Sequence, residues 1–249
     1  MKRSVNPPMR FVLVTIGILL LVAVVNAAFS LGPWPIVIAI AVLDLAFIVY
    51  ALKTKDHIIW LWLLFGHITG FIEVVSDCDA FLVEKVQVLV YPSTFPKIGV
   101  SPAYLPFAWG LVFTQLGLIG DWLRVRRSLL AASFITAGLG GVMISVYENL
   151  ARYAGWWYYQ NTPMLIWAPY FVTLFEFLST SLFVLAGWRI AKASSIRVEY
   201  GWVIVTGIAM GVWMCVAMRF AFWLLGPCVD AVIQLPCEPV PLPREVLGL

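Results

Sequence analysis

Apolar residues run along this chain in long continuous stretches separated by short polar breaks. Seven stretches predict helices: Phe11–Leu31, Trp34–Leu52, Ile58–Val75, Pro102–Trp122, Leu129–Asn149, Met164–Trp188 and Gly201–Leu225. Each is near the ~20 residues that a helix needs to cross the hydrocarbon core of a bilayer. A transmembrane β-barrel would show short segments of alternating polarity instead. The pattern therefore predicts an all-α integral membrane protein, with one seven-helix transmembrane domain over 1–225 and a Pro-rich tail over 226–249. The longest break, 76–101, contains an apolar piece, 81–91, too short to span, which predicts an interfacial or re-entrant segment.

Charge orients the helices. With the N-terminus inside, the inner ends and loops hold 11 of the 16 Lys and Arg residues and the outer side holds 5: Lys85, Lys97, Arg152, Arg219 and Arg244. Cytoplasmic loops carry such an excess, which predicts the N-terminus inside and the C-terminus outside. Met1–Arg10 followed by an apolar run and Val25-Asn26-Ala27 also has the form of a signal peptide. The apolar run continues to Leu31, which favours a retained first helix.

Composition agrees. Hydrophobic residues make up 62% of the 249 residues and charged residues 12%, with a mean hydropathy of +0.95 and a net charge of +3. A soluble domain is roughly 45–50% apolar and about 25% charged, so a soluble enzyme, a disordered chain and a nucleic-acid binder are excluded as readings. A multi-pass membrane location follows, the plasma membrane in a bacterium. Of the four cysteines, Cys215 falls in the seventh stretch, and Cys78, Cys228 and Cys237 fall outside, where one disulfide is plausible and Cys228–Cys237 is the simplest pair.

Two regions echo one another. The first runs from Glu73 through Tyr91 to Ile98-Gly-Val-Ser-Pro102-Ala-Tyr104. The second runs from Glu148 through Trp156-Trp157-Tyr158-Tyr159 to Leu165-Ile-Trp-Ala-Pro169-Tyr170 and Glu176. Each is an acidic helix end, an aromatic outer loop, then Pro and Tyr near the start of a helix. The echo predicts repeated helix pairs, an arrangement that often places a site at the shared interface.

Charges in hydrocarbon are costly and mark function by default. The candidates are Asp44, His67, Glu73, Glu148, Glu176 and Arg219. Gly66, Gly70, Glu73 and Asp77 share a helical face, and the glycines there, at Gly207 and Gly211, and at Gly138, Gly140 and Gly141 permit close approach. A carboxyl in an apolar setting without a nearby cation holds its proton and can act as an acid. Glu73 and Glu176 are the leading candidates. Arg219 reads as a counter-ion, and His67 and Asp44 read equally as interhelical hydrogen-bonding groups. The aromatics Tyr104, Trp109, Trp156, Trp157, Tyr158 and Tyr170 suit either an interfacial belt or a cavity that stabilises a cation through ring quadrupoles.

Several chemistries are excluded as readings. No Lys lies in any of the seven stretches, so a retinal Schiff base has no anchor. No phosphate-binding loop, dinucleotide fingerprint or metalloprotease motif occurs. Two histidines make a haem or multi-histidine metal site an unpromising reading. Asp77, Asp79 and Glu84 lack the spacing of aspartate-rich diphosphate motifs, and no metal or cofactor is expected.

The segment Trp157-Tyr-Tyr…Ile166-Trp-Ala-Pro169…Glu176 resembles heterodimer-type lycopene β-cyclases. Glu73…Tyr91…Ile98-Gly-Val-Ser-Pro102…Trp109 resembles carotenoid hydratases of the bacterioruberin pathway. The size, the seven helices and a third-helix glutamate resemble the transmembrane terpene cyclases of fungal meroterpenoid pathways. The likeness covers roughly residues 66–178. Glu176 stands single where lycopene cyclases usually carry Glu-Glu, and the last helix holds Arg219 where the fungal enzymes carry an acid. The resemblance implies proton-initiated cyclisation of a lipophilic isoprenoid within the membrane without a metal. Glu73, Glu148, Glu176 and Arg219 would be catalytic, and His67, Asp44 and the six aromatics would bind substrate. A hydratase needs the same groups. A lipid or small-molecule transporter is the reading from another class, and a structural membrane protein is a third.

Overall fold

The computed structural model describes residues 9–77, 88–92 and 94–226. The interfacial segment expected at 81–91 falls largely outside these residues. So do Cys78, Asp79, Glu84, the side chain of Asp77, the Cys228–Cys237 pairing and the tail from 227 onwards.

The chain forms eight helices among the described residues: α1 (Met9–Phe29), α2 (Trp34–Thr54), α3 (His57–Asp77), α4 (Leu105–Arg124), α5 (Leu129–Ala154), α6 (Tyr170–Thr180), α7 (Phe183–Ala191) and α8 (Ile196–Leu225). Prolines stand at the first turns of α2 and α4, where a missing N–H costs nothing. Ser128 and Ser195 cap α5 and α8 by accepting from the Ala131 and Val198 amides. α5 ends on Gly155 at φ 71°, in the left-handed region. The stretch expected as one helix over 164–188 begins instead with a hairpin and breaks between α6 and α7 at Ser181 and Leu182.

Six helical segments are long and apolar enough to cross a membrane, with α6 and α7 counted together. Among the described residues, α4 is the long helix that falls short. Fifteen of its 20 residues are buried, including Thr114, Gln115 and Asp121. It sits inside the bundle, so its side chains match protein neighbours rather than an outer apolar phase. α1 and α2 are the opposite case. Leu13, Leu21, Ile38 and Leu45 lie on their outward faces and are more than half exposed.

Small residues set the helix spacing. A Cβ on Gly66 would collide with the Gly110 carbonyl, and one on Gly70 would stand 2.6 Å from the Pro106 oxygen, so α3 and α4 touch backbone to backbone. Gly207 and Gly211 bring α8 against Ile68 and Ile72 of α3, and Gly140 and Gly141 bring α5 against α6. Gly138 faces open space, so that glycine makes none of the close contact expected of it.

Six two-residue strands lie at one end. β2 (Lys97–Ile98) and β3 (Ser101–Pro102) form a hairpin leading into α4, and β5 (Met164–Leu165) and β6 (Ala168–Pro169) form one leading into α6. Between α3 and the first hairpin lies β1 (Leu89–Val90), and between α5 and the second lies β4 (Tyr158–Tyr159). β1 and β4 pair antiparallel, Leu89 opposite Tyr159 and Val90 opposite Tyr158. This pairing ties the two loops together above the helix ends that carry Glu73 and Glu148.

Candidate functional site

Three glutamates separated widely in sequence line one cavity. Glu73 comes from the last turns of α3, Glu148 from the last turns of α5 and Glu176 from α6, and they are 1%, 3% and 0% exposed. Tyr91, Trp109, Trp157, Tyr159, Phe175 and Met218 complete much of the wall around about 310 Å³ of space. Neither lysine nor arginine is among the described residues lining it.

The carboxyls are held differently. The Trp157 indole N–H donates to Glu148 Oε2 at 2.6 Å, a short bond to a buried acceptor. Glu176 lines the same cavity as Glu148. Neither of its oxygens has a hydrogen-bond partner among the described residues. An ionised carboxylate left this way in an apolar interior costs several kcal/mol, and a protonated carboxyl avoids that cost.

Strand periodicity decides which aromatics face in. Trp157 and Tyr159 line the cavity, and the intervening Tyr158 points away, its ring beneath the Arg152 guanidinium at 4.3 Å. Tyr158 thus packs against Arg152 and is outside this cavity's lining. Trp109 stacks on Phe113 with centroids 5.4 Å apart and forms part of the cavity wall.

A second, wholly apolar chamber adjoins the acidic one, counting about 520 Å³ to its open rim. Leu105, Trp109, Glu148 and Trp157 line both. Tyr104 and Trp156 belong to this second chamber. The Trp156 indole donates to the Gly32 carbonyl at 3.0 Å, and the Asn26 amide donates to the same oxygen at 2.8 Å. These bonds fasten the α1–α2 turn to the end of α5.

Four other expected site residues lie elsewhere. Asp44 and His67 face each other, His67 Nε2 standing 3.3 Å from Asp44 Oδ2, while Nδ1–H donates to the Leu63 carbonyl at 2.9 Å. They join α2 to α3 and line neither chamber. Tyr170, half-buried at the start of α6, is also outside both linings. Arg219 is exposed on α8, one residue and about 100° of helical turn from Met218, which does line the acidic cavity. Arg219 itself is in the lining of neither chamber. Tyr159 and Tyr91 are lining residues that the sequence reading left out, although both stand in the aromatic loops of the echo.

No group of three or more potential metal-ligating side chains occurs among the described residues.

A buried acidic and aromatic cavity, adjoining an apolar chamber within a helix bundle, defines the class of site. The chain belongs to the family described as Domain of unknown function (DUF6989), which it matches over residues 74–225. That match includes Glu148 and Glu176 and begins one residue after Glu73, while α1 and α2 precede it. No curated protein matches the chain. No solved structure matches it.

Proposed function

We propose that the protein is a multi-pass membrane enzyme that cyclises an isoprenoid by protonating one of its double bonds. The observation that carries this reading is the convergence of Glu73, Glu148 and Glu176 on one aromatic-walled cavity. Glu176 O–H adds its proton to an alkene carbon and the π electrons form the new C–H bond. The tertiary cation left behind is attacked by a second alkene, which closes the ring. The final cation returns a proton to a carboxylate, Glu73 or Glu148, so substrate and product are isomers. Trp109, Trp157, Tyr91 and Tyr159 present ring faces that stabilise the moving positive charge. Glu148, fixed by the Trp157 N–H, holds a defined orientation while the proton on Glu176 moves.

In this reading the six apolar segments and the enclosed α4 make seven crossings, with the N-terminus inside and the C-terminus outside. Glu73, Glu148 and the paired strands then lie towards the outer leaflet. α3–α4 and α5–α6 are two copies of one unit, supported by their shared order of helix, strand, hairpin and helix. The strand partners Lys97 and Pro102 have the same spacing as Met164 and Pro169. In that correspondence Glu73 matches Glu148, and Trp109, seven residues after its hairpin proline, matches Glu176.

The test is turnover in heavy water by membranes containing the protein, with a panel of linear and prenylated isoprenoids read by mass spectrometry. An isomeric product carrying one non-exchangeable deuterium is expected. A product enlarged by water reassigns the protein as a hydratase. Absence of any product across the panel removes the enzymatic reading.

A further inference from the structure

The acidic cavity and the neighbouring chamber share Leu105, Trp109, Glu148 and Trp157 as lining, and the chamber exposes no polar surface. Its far wall is Leu19 of α1 with Ile36 and Ile40 of α2, each 5% exposed or less. The opposite faces of the same helices carry Leu21, Ile38 and Val42, which are more than half exposed. The wall is thus one helix thick, with the chamber on one side and the outer apolar surface on the other. Trp109 and Trp157 stand at the junction because each lines both spaces, and Glu73 and Glu176 line only the acidic one.

We propose that this chamber is the tail subsite: it takes the unreacted hydrocarbon end of a linear isoprenoid, and Leu19, Ile36 and Ile40 set the chain length accepted. The inference rests on the cyclase reading for its substrate class, but it adds a direction. The alkene to be protonated lies between Glu73 and Glu176, the chain passes Trp109 and Trp157, and the saturated or polyene tail ends against α1 and α2. Because the wall carries no polar surface, a tail bearing a diphosphate, sugar or carboxylate is excluded by the cost of burying an unpaired charge. The helices that set the length, α1 and α2, precede the family match, and Glu148 and Glu176 lie within it.

The experiment has two arms on the full-length protein. In the first, membranes are irradiated with farnesyl and geranylgeranyl hydrocarbons carrying a diazirine at the tail, and labelled peptides are mapped by mass spectrometry. Labelling of α1 or α2 is expected, and labelling confined to α6–α8 overturns the subsite. In the second arm, turnover of sesquiterpene-, diterpene- and triterpene-length substrates is compared for wild type, Ile40→Trp, Ile40→Ala and the outward-facing control Ile38→Trp. Ile40→Trp should lower turnover of the longest accepted substrate relative to the shortest by about tenfold or more, the effect of a few carbon atoms in an apolar pocket. Ile40→Ala should shift the preference in the opposite direction, which keeps the test open if the tryptophan variant does not fold. Ile38→Trp should match wild type. An unchanged length preference in both Ile40 variants, with wild-type turnover intact, overturns the subsite and leaves the cyclase reading standing. Labelling of α1 or α2 without turnover of any substrate does the reverse.

Discussion

Gly99 and Ile166 occupy the same position in their two hairpins and the same backbone conformation, φ 62° in each. Glycine takes this left-handed geometry freely, but a β-branched residue is strained in it. The second hairpin is held in place from outside: Asn149, beside the cavity glutamate, accepts from the Trp167 amide at 2.8 Å, and the Trp167 indole donates to the Tyr153 hydroxyl at 3.0 Å. The residue after Glu148 thus anchors the turn that leads into the helix bearing Glu176. Ile166→Gly should raise the thermal midpoint in detergent, with a gain of about 1 kcal/mol, and Gly99→Ile should lower stability by roughly 1–2 kcal/mol. A fall in the midpoint for Ile166→Gly would mean that the isoleucine side chain contributes more than its backbone costs.

Glu176 offers a trade between stability and activity. Its oxygens are fully buried without described hydrogen-bond partners, so Glu176→Leu should stabilise the fold by about 1–3 kcal/mol. Both Glu176→Leu and Glu176→Gln should reduce turnover by roughly 10²–10⁴-fold, the usual contribution of a general acid. Thermal unfolding and product yield from the same preparations check the two expectations. Activity retained in Glu176→Gln would remove this residue as the proton donor.

Trp157→Phe keeps a ring in the wall but deletes the N–H that holds Glu148 Oε2. Leaving a buried acceptor without that donor should destabilise the protein by about 1–3 kcal/mol. Trp156→Phe, which removes a bond to the Gly32 carbonyl also served by Asn26, should cost less. Comparison of the two midpoints tests whether the indole at 157 orients the carboxyl or merely fills space.

Helix spacing gives a further contrast. Gly70→Leu would drive a side chain into the Pro106 carbonyl and the Trp109 Cβ, whereas Gly138→Ala meets nothing within 4 Å. The first should cost at least 1–3 kcal/mol, as overpacking does. It should also displace Trp109 and with it the junction of the chambers. The second should gain about 0.5–1 kcal/mol by restricting the unfolded chain. Thermal midpoints of the two variants measure both effects.

The sequence announced helices through continuous apolar runs, and the bounds of α2 and α3 agree with that reading to within two residues. Glu73, Glu148 and Glu176 stood out as candidates because charges are scarce in such runs, and they line one cavity. What the pattern could not supply was the rotation of each helix about its axis. Apolar residues surround α8, so nothing in its composition says that Met218 rather than Arg219 turns towards the cavity. Asp44 and His67 likewise stand out as intramembrane charges, but only packing of α2 on α3 turns them towards each other. The apolar chamber is composed of ordinary leucines and isoleucines, and no local signal separates these from residues on the outer face.

The enclosure of α4 bears on how the protein is assembled. The polar side chains of α4 reach back along the chain: Thr114 donates to the Trp62 carbonyl of α3, the Gln115 amide donates to the Thr15 hydroxyl of α1, and Asp121 accepts from Arg124 of α4 itself. Its cover on one side, the glycine face of α3, is already there. Cover from α5 and α7 comes later. α1, α3 and α4 can therefore settle their polar bonds with one another first, and α5 and α7 close over a core that is already joined.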